Sequence, residues 1–510
     1  MTDESSPKAP PFVPENLIVI TVVIPHTGLS DGWLNALLSG WSGGPVGRVV
    51  LIGPETVADG SAIEVEQVVT DKPFSGEAWR GVLDSLNNHG VMICIQDEVT
   101  MSLGSLKRLA KSVCSSGATM VYSHFVQDTA DGPKACAIND FQLGSFRDDF
   151  EFGPVTAWSC KAIKHGLTES GGLMGSDGGA FYDLRLRVSA VGMPIRLPEP
   201  LYCRPNPDDR PTGKKLFDYV DPRNIAAQQE KERIVTEHLK RIGAYLEPTF
   251  QTPDVDGDFP VKASVIIPVR NRIKTVADAV KSACEQVADF EYNVIVVDNH
   301  STDGTTELLA EACKTYANLV HLVPVPTDLG IGGCWNYALE SEKCGKWAVQ
   351  LDSDDIYCDA DTVANMVKVL EEGPYAMVVG AYRMVNFDLE EIPPGLIDHK
   401  EWTRDNGRNN LLRVNGIGAP RAFSTKIMRE NPLPNTSYGE DYGIAMTLSR
   451  RYEIGRIYDA LYLCRRWDDN TDADLPLDVK NRHDLYKDRL RTLEVMARQK
   501  LNGGGSCGCS

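Results

Sequence analysis

YNVIVVDNHSTDGT, residues 292–305, carries the reading of the fold. Its apolar, β-branched run from Val294 to Val297 stops at Asp298, and the residues that follow are polar, small or glycine. A run that short, bounded by turn formers, reads as a buried strand rather than part of a helix. A helical pattern then spans Thr305 to Tyr316, followed by the strand LVHLVPV at 319–325. On the N-terminal side lie the strand ASVIIPV (263–269) and a helix from Thr275 to Gln286. On the C-terminal side come a helix from Gly333 to Lys343 and the strand KWAVQLD (346–352). Strands alternating with helices predict an α/β architecture, a largely parallel sheet covered on both faces.

The same rhythm occurs earlier in the chain. LIVITVVIP (17–25), a helix around 33–38, RVVLIG (48–53), a helix over about 77–88 and VMICIQ (91–96) follow in that order. The two halves also match in detail. IPH (24–26) matches IPV (267–269), and VVLIG (49–53) matches VIVVD (294–298). GVMICIQDEV (90–99) matches GKWAVQLDSD (345–354), and GPVTAWSCKAI (153–163) matches GAPRAFSTKI (418–427). GSDGGAFYDLRLR (175–187) precedes PLYCR (200–204) as GEDYGIAMTLSRR (439–451) precedes LYLCR (461–465). Five matches in one order predict an internal duplication. The expected organisation is a disordered arm over 1–14, a first α/β domain over 15–204, a helical linker over 205–260, a second α/β domain over 261–500 and a Gly/Cys tail over 501–510. Within the linker an amphipathic helix is expected over about 222–246, with Val235, His238, Leu239, Ile242 and Leu246 near one face.

The 510 residues are 42% hydrophobic and 24% charged, ordinary globular composition for two or three domains. Lys plus Arg number 52 against 71 Asp plus Glu, a net charge of −19. So acidic a chain repels phosphate backbones and anionic lipid, which argues against nucleic acid as a partner and against polybasic membrane docking. No stretch approaches the ~18 apolar residues of a transmembrane helix, and the N-terminus lacks the basic-then-apolar order of a secretory signal. Thirteen cysteines are scattered without the spacing of a disulfide framework. The expected location is cytoplasmic. The nine histidines show no zinc-ligand spacing. Cys507 and Cys509 stand in a Gly-rich tail, which reads either as a plain flexible end or as a place for metal, disulfide or modification.

Three acidic clusters carry the chemistry. Asp298 stands where ligands meet an open α/β sheet, at the carboxyl end of a strand, although turns also collect Asp, Asn, Ser and Gly for their own geometry. LDSDD (351–355) crowds three carboxylates at the end of another strand. Such crowding is unfavourable without a cation, and hard oxygen donors suit Mg²⁺ or Mn²⁺ bridging to substrate phosphates. The competing reading is an acidic cap for the helix that starts near Asp361. YGEDYG (438–443) opens a helix, and its Glu440 and Asp441 are candidates to accept a proton or simply to complement the helix dipole.

Taken together, these residues resemble the family 2 glycosyltransferases, most closely over 263–467 and more loosely over 17–204. The resemblance implies the GT-A fold: two tandem Rossmann-like domains, mostly parallel in their sheets, joined by the helical linker. In this family the VDxxSTDGT turn binds the donor nucleotide, which points to Asp298 and Asp303. The turn Pro268-Val269-Arg270-Asn271 matches the loop lining the nucleotide pocket. Asp352 and Asp354 form the DxD element, with Asp352 also facing the donor and both holding Mn²⁺ or Mg²⁺. Glu440 and Asp441 match the ED pair, with Asp441 the implied base of an inverting displacement. Arg465 and Arg466 are candidates to place positive charge near the diphosphate. The implied partners are a nucleoside-diphosphate sugar, foremost a UDP-sugar, and an acceptor that is a glycan, a lipid-linked glycan or a protein. Where many relatives carry Ala-Arg-Asn this chain has Cys334-Trp335-Asn336, so the donor base stays open.

In the first half Gly53 stands at the place of Asp298, Asp97-Glu98-Val99 at the DxD and Ser176-Asp177 at the ED pair. That half is expected to be a degenerate copy serving as scaffold or acceptor-binding module. Two other readings remain. A sugar-nucleotide pyrophosphorylase would need a Gly-rich basic loop, and PVRNRIKT (268–275) has no glycine. A non-catalytic two-module sugar- or nucleotide-binding protein would need the second site to be inactive.

Overall fold

The computed structural model describes residues 18–30, 32–56, 63–168, 172–175, 178–205, 225–466 and 475–503. The expected arm over 1–14, the Ser176-Asp177 pair and Cys507 and Cys509 lie outside the described residues. The chain divides into two compact units, one of residues 1–213 with 226–242, the other of 214–225 with 243–510.

The first unit is built on β1 (Ile20–Pro25), β2 (Val46–Gly53), β3 (Glu64–Val69), β4 (Val91–Ile95), β5 (Met120–Gln127), β6 (Lys134–Cys136), β7 (Val155–Ser159) and β8 (Ile195–Arg204). They form one sheet in the order β3-β2-β1-β4-β7-β5-β6, with β8 also on β5. β1, β2, β3 and β4 run parallel, β7 is antiparallel to both β4 and β5, and β8 is parallel to β5. All six residues of β1 and all five of β4 are buried. Continuous burial, instead of alternation, is what helices on both faces of a parallel sheet impose.

The second unit uses β9 (Ala263–Val269), β10 (Tyr292–Asp298), β11 (Leu319–Leu322), β12 (Trp347–Gln350), β13 (Ile356–Tyr357), β14 (Tyr375–Val385), β15 (Glu391–Ile397), β16 (Arg421–Ser424) and β17 (Glu453–Arg465). Their order is β11-β10-β9-β12-β16-β14-β17-β13, with β15 also on β14. Strand for strand this repeats the order of the first sheet, with β13 added. The directions repeat as well: β9, β10, β11 and β12 are parallel, β16 is antiparallel to its two neighbours, and β17 is parallel to β14. Each unit is therefore α/β, as the alternation of runs predicts.

The helix expected over 222–246 spans Ile225–Arg241. Its apolar stripe, Ile234, Val235 and Leu239, is buried within the first unit, where His238 lies 5.5 Å from the Phe146 ring and Lys231 pairs with Asp148 at 2.8 Å. From Gly243 the chain belongs to the second unit. The Leu246 N–H donates to Asn409 Oδ1 (3.1 Å) and the Gln251 N–H to the Arg451 carbonyl (2.8 Å).

Two further helices frame the second unit's chemistry. Glu440–Ser449 is buried nearly all round, by Tyr442, Ile444, Ala445, Met446 and Leu448. It starts after Gly439, whose φ of +78° is a left-handed conformation that favours glycine. Leu477–Asn502 inverts the usual pattern, for its buried residues are Lys487, Asp488, Arg491, Glu494, Val495 and Arg498. Arg491 pairs with Asp488 at 2.8 Å, Arg498 with Glu494 at 2.7 Å, and Arg491 also donates to Tyr442 Oη at 2.9 Å. Buried charges persist only when paired and hydrogen-bonded. Those two pairs run along the helix itself; it docks through the Arg491–Tyr442 hydrogen bond and the Arg450–Glu494 ion pair, and so fixes the helix that carries Glu440 and Asp441. Among the described residues no helix is long and apolar enough to cross a membrane.

Candidate functional site

The site lies at the carboxyl ends of β9, β10 and β12. Asp298 ends β10 fully buried. Its Oδ1 accepts from the Ser301 N–H (3.0 Å), its Oδ2 from Thr306 Oγ1 (2.5 Å), and His321 Nε2 lies 3.4 Å away. Burial pushes this carboxyl upward, yet the hydrogen bonds from Ser301, Thr306 and His321 outweigh it and hold the group below the usual carboxylate range.

The turn after Asp298 is laced to the turn after β9. Asp303 accepts from the Ile273 N–H (3.0 Å) and from Thr305 Oγ1 (2.6 Å). Asn271, at φ +54°, donates its N–H to Ser301 Oγ (2.9 Å) and accepts from the Thr302 N–H (2.8 Å). Asp303 and Asn271 thus shape one rim out of two loops. Pro268 sits within β9 opposite Val297, and Arg270 is exposed just beyond the strand. Arg272 Nε lies 4.0 Å from Asp354 Oδ2 and joins this rim to the acidic loop.

That loop leaves β12 as Leu351 to Asp355. Gln350 Nε2 donates to both oxygens of Asp352, at 2.9 and 3.0 Å, and the Asp352 N–H donates to Tyr462 Oη at 3.0 Å. Burial raises the Asp352 carboxyl, Arg421 pulls it back, and Asp354 adds to the rise. Asp355 is driven well above the usual range by burial, then by Asp354 and Asp352. Arg465 secures the loop through its N–H to Asp355 Oδ1 (2.8 Å), its Nε to the Asp354 carbonyl (2.5 Å) and its Nη1 to Asp278 (2.8 Å). The Arg466 N–H donates to the Val385 carbonyl at 2.8 Å.

Opposite stands the first turn of the helix Glu440–Ser449. Asp441 Oδ1 accepts from the Tyr442 N–H (2.7 Å), and its Oδ2 accepts from Arg421 Nη1. Burial works to raise Asp441, but Arg421, Lys487 and the Tyr442 N–H hold it below the usual range. Its neighbour Glu440 is pushed up to about 8, by burial and then by Asp441, and its Oε2 is buried with no hydrogen-bond partner. Tyr438 stacks on His483 at 3.8 Å, and Lys487 Nζ lies 4.5 Å from the Tyr438 ring. The long C-terminal helix thus reaches the same edge.

Arg421 unites the two carboxylate groups, and it was not among the residues the sequence singled out. Asp441, Asp352 and Glu440 all favour its charged form against the cost of burial. Gln350 and Tyr462 were likewise hidden inside apolar strands. A glutamine two residues before Asp352 in a strand otherwise apolar was the one available signal. Cys334 and Trp335 are buried, and Asn336 bonds both the N–H and the carbonyl of Leu433 (2.9 and 2.8 Å), so this stretch serves packing.

Among the described residues no three His, Cys, Asp or Glu side chains form a ready-made metal cage. Asp352 and Asp354 offer hard oxygen donors beside a crowded, partly neutralised acidic group. That set fits Mg²⁺ or Mn²⁺, which complete their shells with water and phosphate oxygens and rarely with all-protein ligands.

Residues 264–434 match the model of glycosyl transferase family 2. A poly(ribitol-phosphate) beta-glucosyltransferase of Bacillus spizizenii is 24% identical over 213 residues, 40% of this chain and 33% of the relative. An uncharacterised glycosyltransferase of Bacillus subtilis is 29% identical over 180 residues, 35% of this chain and 42% of the relative. The chain spans 33% of the first of these curated relatives and 31% of a second, an uncharacterised glycosyltransferase of Rickettsia conorii. Among solved structures, residues 1–349 of Staphylococcus aureus TarS with UDP-GlcNAc align at TM-score 0.38 and 22% identity, covering 47% of this chain and 70% of that one. Glucosyl-3-phosphoglycerate synthase of Mycobacterium tuberculosis, with Mn²⁺, UDP and phosphoglyceric acid, aligns at TM-score 0.31 and 22% identity, covering 48% and 79%. The matched span holds β9 to β16 with the Asp298 turn, the Asp352-Ser353-Asp354 loop and Arg421, and the second unit is accordingly built on a glycosyl transferase family 2 domain.

Proposed function

We propose that the second unit transfers a sugar, with inversion, from a nucleoside-diphosphate sugar, foremost a UDP-sugar, to a hydroxyl of a glycan, lipid-linked glycan or protein. The observation that carries this reading is Arg421, whose guanidinium pairs with Asp441 on the acceptor side while its backbone N–H is held by Gln350, the partner of Asp352 on the donor side. Asp298, with the rim shaped by Asp303 and Asn271, is the nucleotide end, flanked by Pro268 and Arg270. Asp352 and Asp354 are the carboxylates that hold Mn²⁺ or Mg²⁺, and a bound cation supplies charge to offset that growing on the departing diphosphate. Arg465 keeps that loop in place, and Arg466 beside it is the candidate to place positive charge near the diphosphate. Asp441, held ionised, takes the acceptor proton as the acceptor oxygen attacks the anomeric carbon opposite the leaving group. Glu440, with its raised carboxyl, is a proton-bearing neighbour suited to bind an acceptor hydroxyl.

The first unit is, in this reading, a degenerate copy serving as scaffold or acceptor-binding module. Strand register puts Gly53 of β2 at the place of Asp298, and a Cβ there would stand 2.2 Å from the His26 carbonyl oxygen. No side chain, and so no carboxylate, fits at that position. Asp97 is paired with Arg204 at 2.7 Å, and Glu98 accepts from Ser30.

The test is thermal denaturation with UDP, GDP, dTDP and CDP, each with and without Mn²⁺, on the wild type and on Asp354→Ala. A ligand at 100 times its Kd stabilises by about 2.7 kcal/mol. The expected result is Mn²⁺-dependent stabilisation that Asp354→Ala abolishes. Stabilisation by none of the four, confirmed by calorimetry, refutes the reading and favours the non-catalytic two-module protein.

A further inference from the structure

The antiparallel register of β12 and β16 pairs Val349 with Ala422, which sets Gln350 opposite Arg421. Gln350 is 2% exposed, and its amide has only one orientation that satisfies its neighbours. The nitrogen end must face Asp352, because an ionised carboxylate only accepts, and the oxygen end must face an N–H. The structure has that arrangement. Gln350 Nε2 donates to both Asp352 oxygens, and Gln350 Oε1 accepts from the backbone N–H of Arg421 at 3.2 Å. Arg421 Nη1 then donates to Asp441 Oδ2 and to the Gly418 carbonyl, the latter at 3.0 Å. Hydrogen bonds therefore tie Asp352 through Gln350 to the backbone of Arg421, and the guanidinium of that same residue to Asp441.

We propose that Gln350 and Arg421 are a pair of positioning residues that hold the donor-side carboxylate Asp352 and the acceptor-side carboxylate Asp441 in fixed register. This rests on the reading of the second unit as a glycosyltransferase. Gln350 sets the direction in which Asp352 presents its oxygens, the role that hydrogen-bond partners behind a ligand play in other metal sites. Arg421 sets Asp441, whose two oxygens are both engaged, so the carboxylate is aimed before any substrate arrives. The first unit supplies an internal comparison. Strand register shifts the expected match of 90–99 with 345–354 by one residue, so that Gln96-Asp97-Glu98 rather than Asp97-Glu98-Val99 stand level with Asp352-Ser353-Asp354. β4 then pairs Ile93 with Ala157 and Cys94 with Thr156 at the positions of Val349–Ala422 and Gln350–Arg421. Cysteine and threonine there cannot form those hydrogen bonds, and that same unit lacks the carboxylate at Gly53.

The experiment measures two quantities on the full-length protein: calorimetric affinity for UDP in the presence of Mn²⁺, and release of UDP from UDP-glucose and UDP-GlcNAc with water as acceptor, as a function of pH. Gln350→Met is expected to weaken Mn²⁺-dependent UDP binding at least tenfold. Arg421→Met is expected to lower UDP release at least tenfold, by clearly more than it weakens that affinity, and to move the acidic limb of the pH–rate profile to higher pH. Arg421→Lys should recover part of the rate, which a merely structural role would not produce. Wild-type affinity in Gln350→Met overturns the pair, whether or not hydrolysis is measurable. An unmoved acidic limb, or a loss of UDP binding in Arg421→Met matching its loss of rate, overturns it as well. A wild type that binds no UDP with Mn²⁺ instead refutes the glycosyltransferase reading itself, and the pair with it.

Discussion

Arg465 donates its backbone N–H to Asp355 Oδ1 at 2.8 Å, so the last residue of β17 clamps the loop that carries Asp352 and Asp354. Its side chain is 3% exposed and turns inward to the Asp354 carbonyl and to Asp278. In the proposed reading the residue acts on the diphosphate end by holding a loop. Replacing it with methionine keeps the N–H and removes the two charged hydrogen bonds, each worth about 1.5–3 kcal/mol in general. Arg465→Met should lower the denaturation midpoint and weaken Mn²⁺-dependent nucleotide binding together. Urea titration alongside calorimetry checks both.

Asp441→Asn keeps the shape and removes the proposed base. Positioned general bases contribute roughly 10²–10⁴-fold. The variant should bind the nucleoside diphosphate as the wild type does and lose transfer by about that factor. Rate and affinity falling equally would instead place Asp441 among the donor-binding groups.

Glu440 predicts a pH dependence of stability. Its carboxyl is raised to about 8 from an unfolded value of 4.5. Between those two values the folded state binds more protons than the unfolded state, so unfolding free energy falls as pH rises through the window. Glu440→Gln should flatten this slope and be the more stable form at pH 8.5, while differing little at pH 4. Denaturant midpoints at the two pH values decide the matter.

Arg491 and Asp488 are both fully buried, so breaking their pair leaves an uncompensated charge. Arg491→Met should cost about 3–5 kcal/mol. The double substitution Arg491→Met with Asp488→Leu should recover much of that loss. Chemical denaturation of the two variants and the wild type forms the comparison.

Much of the fold was legible because strands buried on both faces announce themselves as short apolar runs, as in β1, β9 and β10. Asp298, Asp352, Asp354 and Asp441 were legible because acids at strand ends and helix starts break those runs. Arg421 was not, since its meaning depends on the antiparallel entry of β16 beside β12, a pairing 71 residues apart in the chain. The helix Leu477–Asn502 was not, because its buried stripe is charged and its exposed face carries Leu485, Leu493, Met496 and Leu501. Hydrophobic periodicity reads such a helix inside out. Asp303 was read as a nucleotide contact, and its bonds to Ile273 and Thr305 show it also building the turn.

Asn502, at the end of that last helix, donates its side-chain amide to the carbonyls of Gly243 (2.9 Å) and Tyr245 (2.7 Å), where the chain enters the second unit. The unit is therefore a closed loop of chain whose two ends meet. A segment of this kind can be spliced into, copied beside or fused to another without either end being dragged across the molecule.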